Sequence, residues 1–147
     1  MQRLEKRLTQ VESIASATLF IFGIFTAMRG LNWVVFSGTS RDYTIYSAIV
    51  AVAPLYFWGG LLLFGGLMFM VSSWLLPRWT TERRFSIILL IGGFVTGITY
   101  FIIAIASFNQ HGTWLVPAQM VVLSALGGIL AFFGGASLWN MKITKRQ

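Results

Sequence analysis

The sequence predicts an all-α integral membrane fold, a four-helix up-and-down bundle. Three observations predict it: 56% of the residues are hydrophobic and only 10% charged, the uncharged residues gather into four long runs, and short polar or basic segments separate those runs. An average soluble domain is roughly a quarter charged, so a chain of this composition has too little polar surface to stay dispersed in water. Run length separates a membrane span from a buried core segment, because a hydrocarbon layer about 30 Å thick needs roughly 20 apolar residues. With 147 residues, the chain has room for a single transmembrane domain over 1–147.

The first element follows a charged segment, Arg3 to Glu12, and runs without charge from Ser13 to Met28. That run is slightly short of a crossing, so flanking residues must complete it. Leu4, Leu8, Val11 and Ala15 recur at helical spacing, which predicts one continuous rod from near Arg3. The span itself is placed over 11–29, with Arg29 snorkelling at its far end. A basic start before an apolar stretch also describes a secretory signal, but Thr26-Ala27-Met28 before Arg29 is a poor cleavage site and the segment is expected to remain. Residues 30–46 read as an interfacial loop, with Trp33 and Phe36 at the membrane surface and Arg41-Asp42 a solvated pair rather than catalytic groups.

Uncharged sequence resumes at Ser47 and continues to Leu76, with Pro54 near its start. Proline suits a first helical turn, so the second span is predicted over 54–76, with Ser47 to Ala53 as an outer extension or kinked turn. Pro77 to Arg84 forms a basic hairpin loop. The third span covers 85–108 and the fourth 115–140, the latter with Pro117 near its beginning and Asn109 to Thr113 before it. Six tryptophans, Trp33, Trp58, Trp74, Trp79, Trp114 and Trp139, are expected to anchor the interfaces.

Orientation follows from Lys plus Arg. Arg3, Lys6 and Arg7, then Arg78, Arg83 and Arg84, then Lys142, Lys145 and Arg146 fall on one side, against Arg29 and Arg41 on the other. The positive-inside rule puts both termini in the cytoplasm, in a cell (inner or plasma) membrane. The net charge of +7 is therefore read as orientation in an anionic leaflet rather than as a nucleic-acid surface. An internal echo runs through the second and fourth spans: Pro54 and Pro117, Gly65-Gly66 and Gly127-Gly128, Trp74 and Trp139. Duplicated hairpins and common interface rules both produce such an echo.

Small residues at helical spacing are the clearest pattern inside the runs: Gly23 and Ala27; Gly93 and Gly97; Gly127, Ala131 and Gly135. Small faces let backbones approach in lipid, either within this bundle or between copies. No cysteine is present, which removes thiolate sites and disulfides. None of the uncharged runs holds an ionisable residue, which argues against an ion-coupled pump. Thr26, Ser72, Ser73, Thr96, Thr99, Gln119 and Ser124 are the polar candidates there, and His111 is a lone loop histidine. No enzyme activity, cofactor or metal is expected.

The charged N-terminus, Arg3 to Glu12, together with Pro-Leu-Tyr-Phe-Trp-Gly-Gly at Pro54 to Gly60, resembles small multi-span membrane proteins of bacteriophages and prophages. That resemblance implies a holin-like or host-membrane role. From the residues themselves, the expectation is a non-enzymatic protein acting through helix association, as a small subunit or regulator of a membrane complex. Its partners would be the bilayer and either itself or another membrane protein. A self-assembling pore-former is the alternative, and a lipid- or quinone-binding protein a third reading from Tyr56-Phe57-Trp58.

Overall fold

The computed structural model describes residues 2–36, 47–76, 83–108 and 114–144, with no strand among them. Its helices are α1 Gln2–Val35, α2 Ser47–Val50, α3 Leu55–Leu75, α4 Arg83–Phe108 and α5 Leu115–Thr144. Four of them are long and apolar enough to cross a membrane: α1 over Gln10–Val35, α3 and α4 over their whole lengths, and α5 over Leu115–Ile143.

The first helix departs most from the sequence reading. It does not stop at Arg29, and residues 30–35 are helix rather than interfacial loop. Leu31-Asn32-Trp33-Val34-Val35 contains no helix breaker, and tertiary contacts hold the extension in place. Gly30 lies against the α3 backbone at Gly59 and Leu63, and Trp33 is 5% exposed, in the core rather than at the membrane surface. Arg41, Asp42, Trp79 and His111 lie outside the described residues. Before α3, the chain forms the separate single turn α2, whose Ile49 is buried in the core. Pro54 then caps α3 in extended geometry, φ −62° and ψ 149°, where no helical bond needs its missing N–H.

Consecutive long helices pack side by side, α1 on α3, α3 on α4 and α4 on α5, while α1 and α5 have next to no backbone contact. The inner pair carries most of the burial: 44% of the apolar stretch of α3 and 50% of that of α4 are covered, against 22% for α1 and 17% for α5. Partner registers run in opposite senses along each pair. Gly30 meets Gly59 and Gly23 meets Gly66; Gly97 meets Gly127 and Gly93 meets Ala131. The bundle is thus antiparallel throughout, with the start of α1 and the end of α5 at the same end of it.

Glycines set the helix order. On the inner helices the Gly65-Gly66 and Gly92-Gly93 doublets face both ways: a β-carbon at Gly66 would lie 2.5 Å from the Ala27 amide nitrogen on α1, and one at Gly65 would collide with the Thr96 hydroxyl on α4. Gly92 and Gly93 divide similarly between Met68 on α3 and the Ala131 amide on α5. Adjacent positions on a helix are about 100° apart, so one doublet serves two neighbours. On α5 each doublet has one close member only. Gly127 and Gly134 touch α4 backbone, whereas Gly128 has nothing within 4 Å and Gly135 only a Leu90 methyl at 3.8 Å. The close contact expected at Gly135 therefore belongs to Gly134. Gly23, Ala27, Gly93, Gly97, Gly127 and Ala131 all sit at contacts within the chain.

Hydroxyls bridge the same seams. Ser16 Oγ donates to the Ser73 carbonyl (2.8 Å) across α1 and α3, and Ser124 Oγ to the Gly97 carbonyl (2.9 Å) across α5 and α4. Ser86 and Ser137 join by side chains at 2.9 Å. Interhelical hydrogen bonds in membranes average about 0.6 kcal/mol. A double-mutant cycle with Ser86→Ala and Ser137→Ala, read by unfolding in mixed micelles, is expected to return a coupling of about that size; zero coupling would show that the pair is incidental.

Candidate functional site

The axis of the bundle is filled by large side chains. Trp33, Leu55, Trp58, Leu62, Tyr100, Ile103 and Met120 form one buried cluster, and Phe22, Phe69, Phe85 and Leu89 belong to a second. Phe22 and Phe69 pack with ring centroids 5.1 Å apart and planes tilted by 44°. Trp58 is an internal residue rather than a surface anchor, its indole N–H donating to the Ala53 carbonyl at 3.2 Å. Of the remaining expected anchors, Trp74, Trp114 and Trp139 stay largely exposed near helix ends. Tyr56 and Phe57 point outward beside the inward Trp58.

Against this apolar interior Arg29 stands out. Because α1 continues to Val35, Arg29 is about 9 Å inside the helix end at about 1.5 Å per residue, within an apolar stretch long enough to span. The sequence reading ended the first span at Arg29, whereas the helix continues beyond it to Val35. The guanidinium lies over two aromatic faces, 5.5 Å from the Trp33 ring centroid and 5.9 Å from that of Tyr100. Trp33 is one turn further along the same face of α1, and Tyr100 comes from α4. Cations over aromatic rings gain about 0.5–2 kcal/mol, which holds the side chain without neutralising it.

No carboxylate reaches Arg29 among the described residues. The chain has four acidic residues in all, and Glu12, the one whose side chain is described, lies about 25 Å away along α1. Arginine presents five N–H donors in a planar fork, and rings stacked on its face leave the edges of that fork available.

Hydroxyls gather one turn deeper. Thr26 on α1 faces Tyr100 on α4, and Thr96 is one turn before Tyr100. The hydroxyl oxygens of Thr26, Thr96 and Tyr100 are buried, those of Thr26 and Tyr100 against each other, whereas Thr99 and Ser107 on the same helix as Tyr100 donate to the Val95 and Ile103 carbonyls at 2.7 Å. Gly66 against Ala27 and Gly65 against Thr96 place this cluster near mid-height of α3.

The site has one open side. Between α1 and α5 lies a groove of about 510 Å³ lined by Phe25, Arg29, Ala118, Gln119, Val122 and Leu123. Four of those residues are apolar; Arg29 and Gln119 line it from different helices. Sequence reasoning placed Gln119 at the interface, within one turn of Pro117, and Arg29 at the far end of the first span, but it did not pick out Tyr100 or the seam. One signal was present: Gly23 and Gly30 are seven residues apart on one face, and that repeat carries the helix past Arg29. Chemically, the arrangement can hold an anionic group sideways. It brings no nucleophile and base together. Comparison with protein families, characterised proteins and solved structures gives no match.

Proposed function

We propose that this protein is a non-enzymatic integral membrane protein that works by holding an anionic guest in the α1–α5 seam, as a small subunit or regulator of a membrane process. The observation that supports it is a guanidinium inside an apolar helix, without a carboxylate among the described residues, beside a groove that opens to the side. Ionisable residues at membrane depth are costly and mark binding or transport paths. The small-residue faces favour this reading over self-association through glycine stripes, because contacts within the chain already use them. A single-chain pore is disfavoured by the aromatic axis, so a holin-like activity would need a channel between copies.

The cytoplasmic placement of both termini belongs to the same proposal. It rests on nine basic residues against two and puts the seam in the outer half of the bilayer.

The test is photo-crosslinking in native membranes from an unnatural amino acid at position 119, in wild-type and Arg29→Gln backgrounds. A discrete adduct that forms in the first and is lost in the second is expected. No adduct, or one indifferent to Arg29, would overturn the proposal.

A further inference from the structure

We infer that the guest in the seam is an anionic phospholipid, its headgroup phosphate held by Arg29 and Gln119 and part of one acyl chain lying on Phe25, Ala118, Val122 and Leu123. This rests on the seam being a binding site, and adds which chemistry fills it. Charge complementarity argues first. The guanidinium has two aromatic faces against it and no carboxylate beside it among the described residues, so an anionic guest complements it, and planar forked donors suit phosphate oxygens.

Depth argues second. The Arg29 head lies against Trp33, one turn nearer the end of α1, within reach of the headgroup level for a long cationic side chain. Gln119 sits within two turns of the start of α5, at the same end of the bundle, and its amide can donate to the same headgroup.

Lining and access argue third. The groove is bounded by two helices that hardly touch, and four of its six lining residues are apolar. An apolar lining with two polar groups suits an acyl chain lying along it with its headgroup at Arg29 and Gln119. Bilayer lipid also needs no entry path, since the seam faces it.

The experiment is native mass spectrometry of the full chain in detergent, titrated with phosphatidylglycerol, phosphatidylcholine and oleate. One phosphatidylglycerol retained with at least tenfold preference over phosphatidylcholine is the expected result. Arg29→Gln should abolish the preference, Arg29→Lys should keep part of it, and Gln119→Ala should weaken it several-fold. Circular dichroism of each variant confirms that the helices are formed. Equal retention of phosphatidylglycerol by wild type and Arg29→Gln overturns the inference. Arg29-dependent retention of oleate alone, or an Arg29-dependent protein adduct from position 119 without lipid preference, also overturns it while leaving the seam as a binding site. Absence of every adduct and every preference removes both.

Discussion

Gly66→Ala is expected to destabilise the bundle by about 1–3 kcal/mol, the range for forcing extra atoms into a packed interior, while Gly60→Ala, on the same helix, changes stability little. The added methyl at Gly66 would sit 2.5 Å from the Ala27 nitrogen and 2.7 Å from the Gly23 oxygen, and at Gly60 it would meet nothing within 4 Å. Backbone atoms cannot rotate aside, so α1 and α3 must separate along the seam that contributes most to covering α1. In lipid no hydrophobic force pulls separated helices together, and nothing elsewhere in the bundle replaces the close van der Waals packing of that seam. Helix propensity works in the opposite direction but weakly, because the helices persist in the membrane when their packing is broken. The comparison within one helix therefore isolates the effect of the interhelical packing. Reversible unfolding in mixed micelles of increasing sodium dodecyl sulfate measures it. Equal costs at Gly60 and Gly66 would show that close helix approach is not what these glycines serve. Gly134→Ala against Gly135→Ala repeats the comparison on α5, with the same expected direction.

The doublets also show where sequence reasoning reaches its limit. Hydropathy and run length are properties of one helix, and they placed α3, α4 and α5 to within a few residues, four helices long and apolar enough to span included. Which glycine of a doublet is covered depends on the neighbour's position, a property of two helices. Moving from Gly135 to Gly134 turns the contact by about 100°, and spacing counted along one helix could not choose between them. The internal echo fails for the same reason. Aligning the Gly65-Gly66 doublet with Gly127-Gly128 sets Gly66 opposite Gly128, yet Gly128 is open, and the position with matching surroundings is Gly134: each of the two lies against an amide nitrogen and the carbonyl oxygen four residues before it on the adjacent helix. Gly59 and Gly127 correspond in the same way, each close to a glycine of the preceding long helix. The two hairpins thus share a packing pattern in a register that the prolines do not mark. Arg29 was hidden by a different rule. Counting uncharged residues ends a run at the first charge, whereas a helix ends only where its backbone bonds or packing stop, and Gly30 and Trp33 supply packing beyond that charge. Trp33 and Trp58 were assigned to the interface by residue type, but their helix faces turn them inward.

Arg29→Leu is expected to make the bundle more stable, by about 1 kcal/mol, and at the same time to remove its anion binding. Two opposing contributions set the sign. Arginine in the middle of a span costs about 2.5–3.5 kcal/mol on insertion scales, less toward the end, and Arg29 is about 9 Å from the end of α1. Against that stands the cation–π seat on Trp33 and Tyr100, at 5.5 and 5.9 Å, worth about 0.5–2 kcal/mol. With no described carboxylate to leave stranded, removing the guanidinium creates no orphan partner, and leucine can rest on the same two rings. A residue that lowers stability where it stands is explained by what it binds, because sites built for ligands commonly sacrifice stability. Unfolding in the same mixed micelles, alongside the lipid titration, reads both quantities on one variant. A destabilisation of more than about 1 kcal/mol in Arg29→Leu would reverse the argument: Arg29 would then be a strut joining α1 to α4 through the Trp33 and Tyr100 rings, and the open seam beside it would have no charge set aside for a guest.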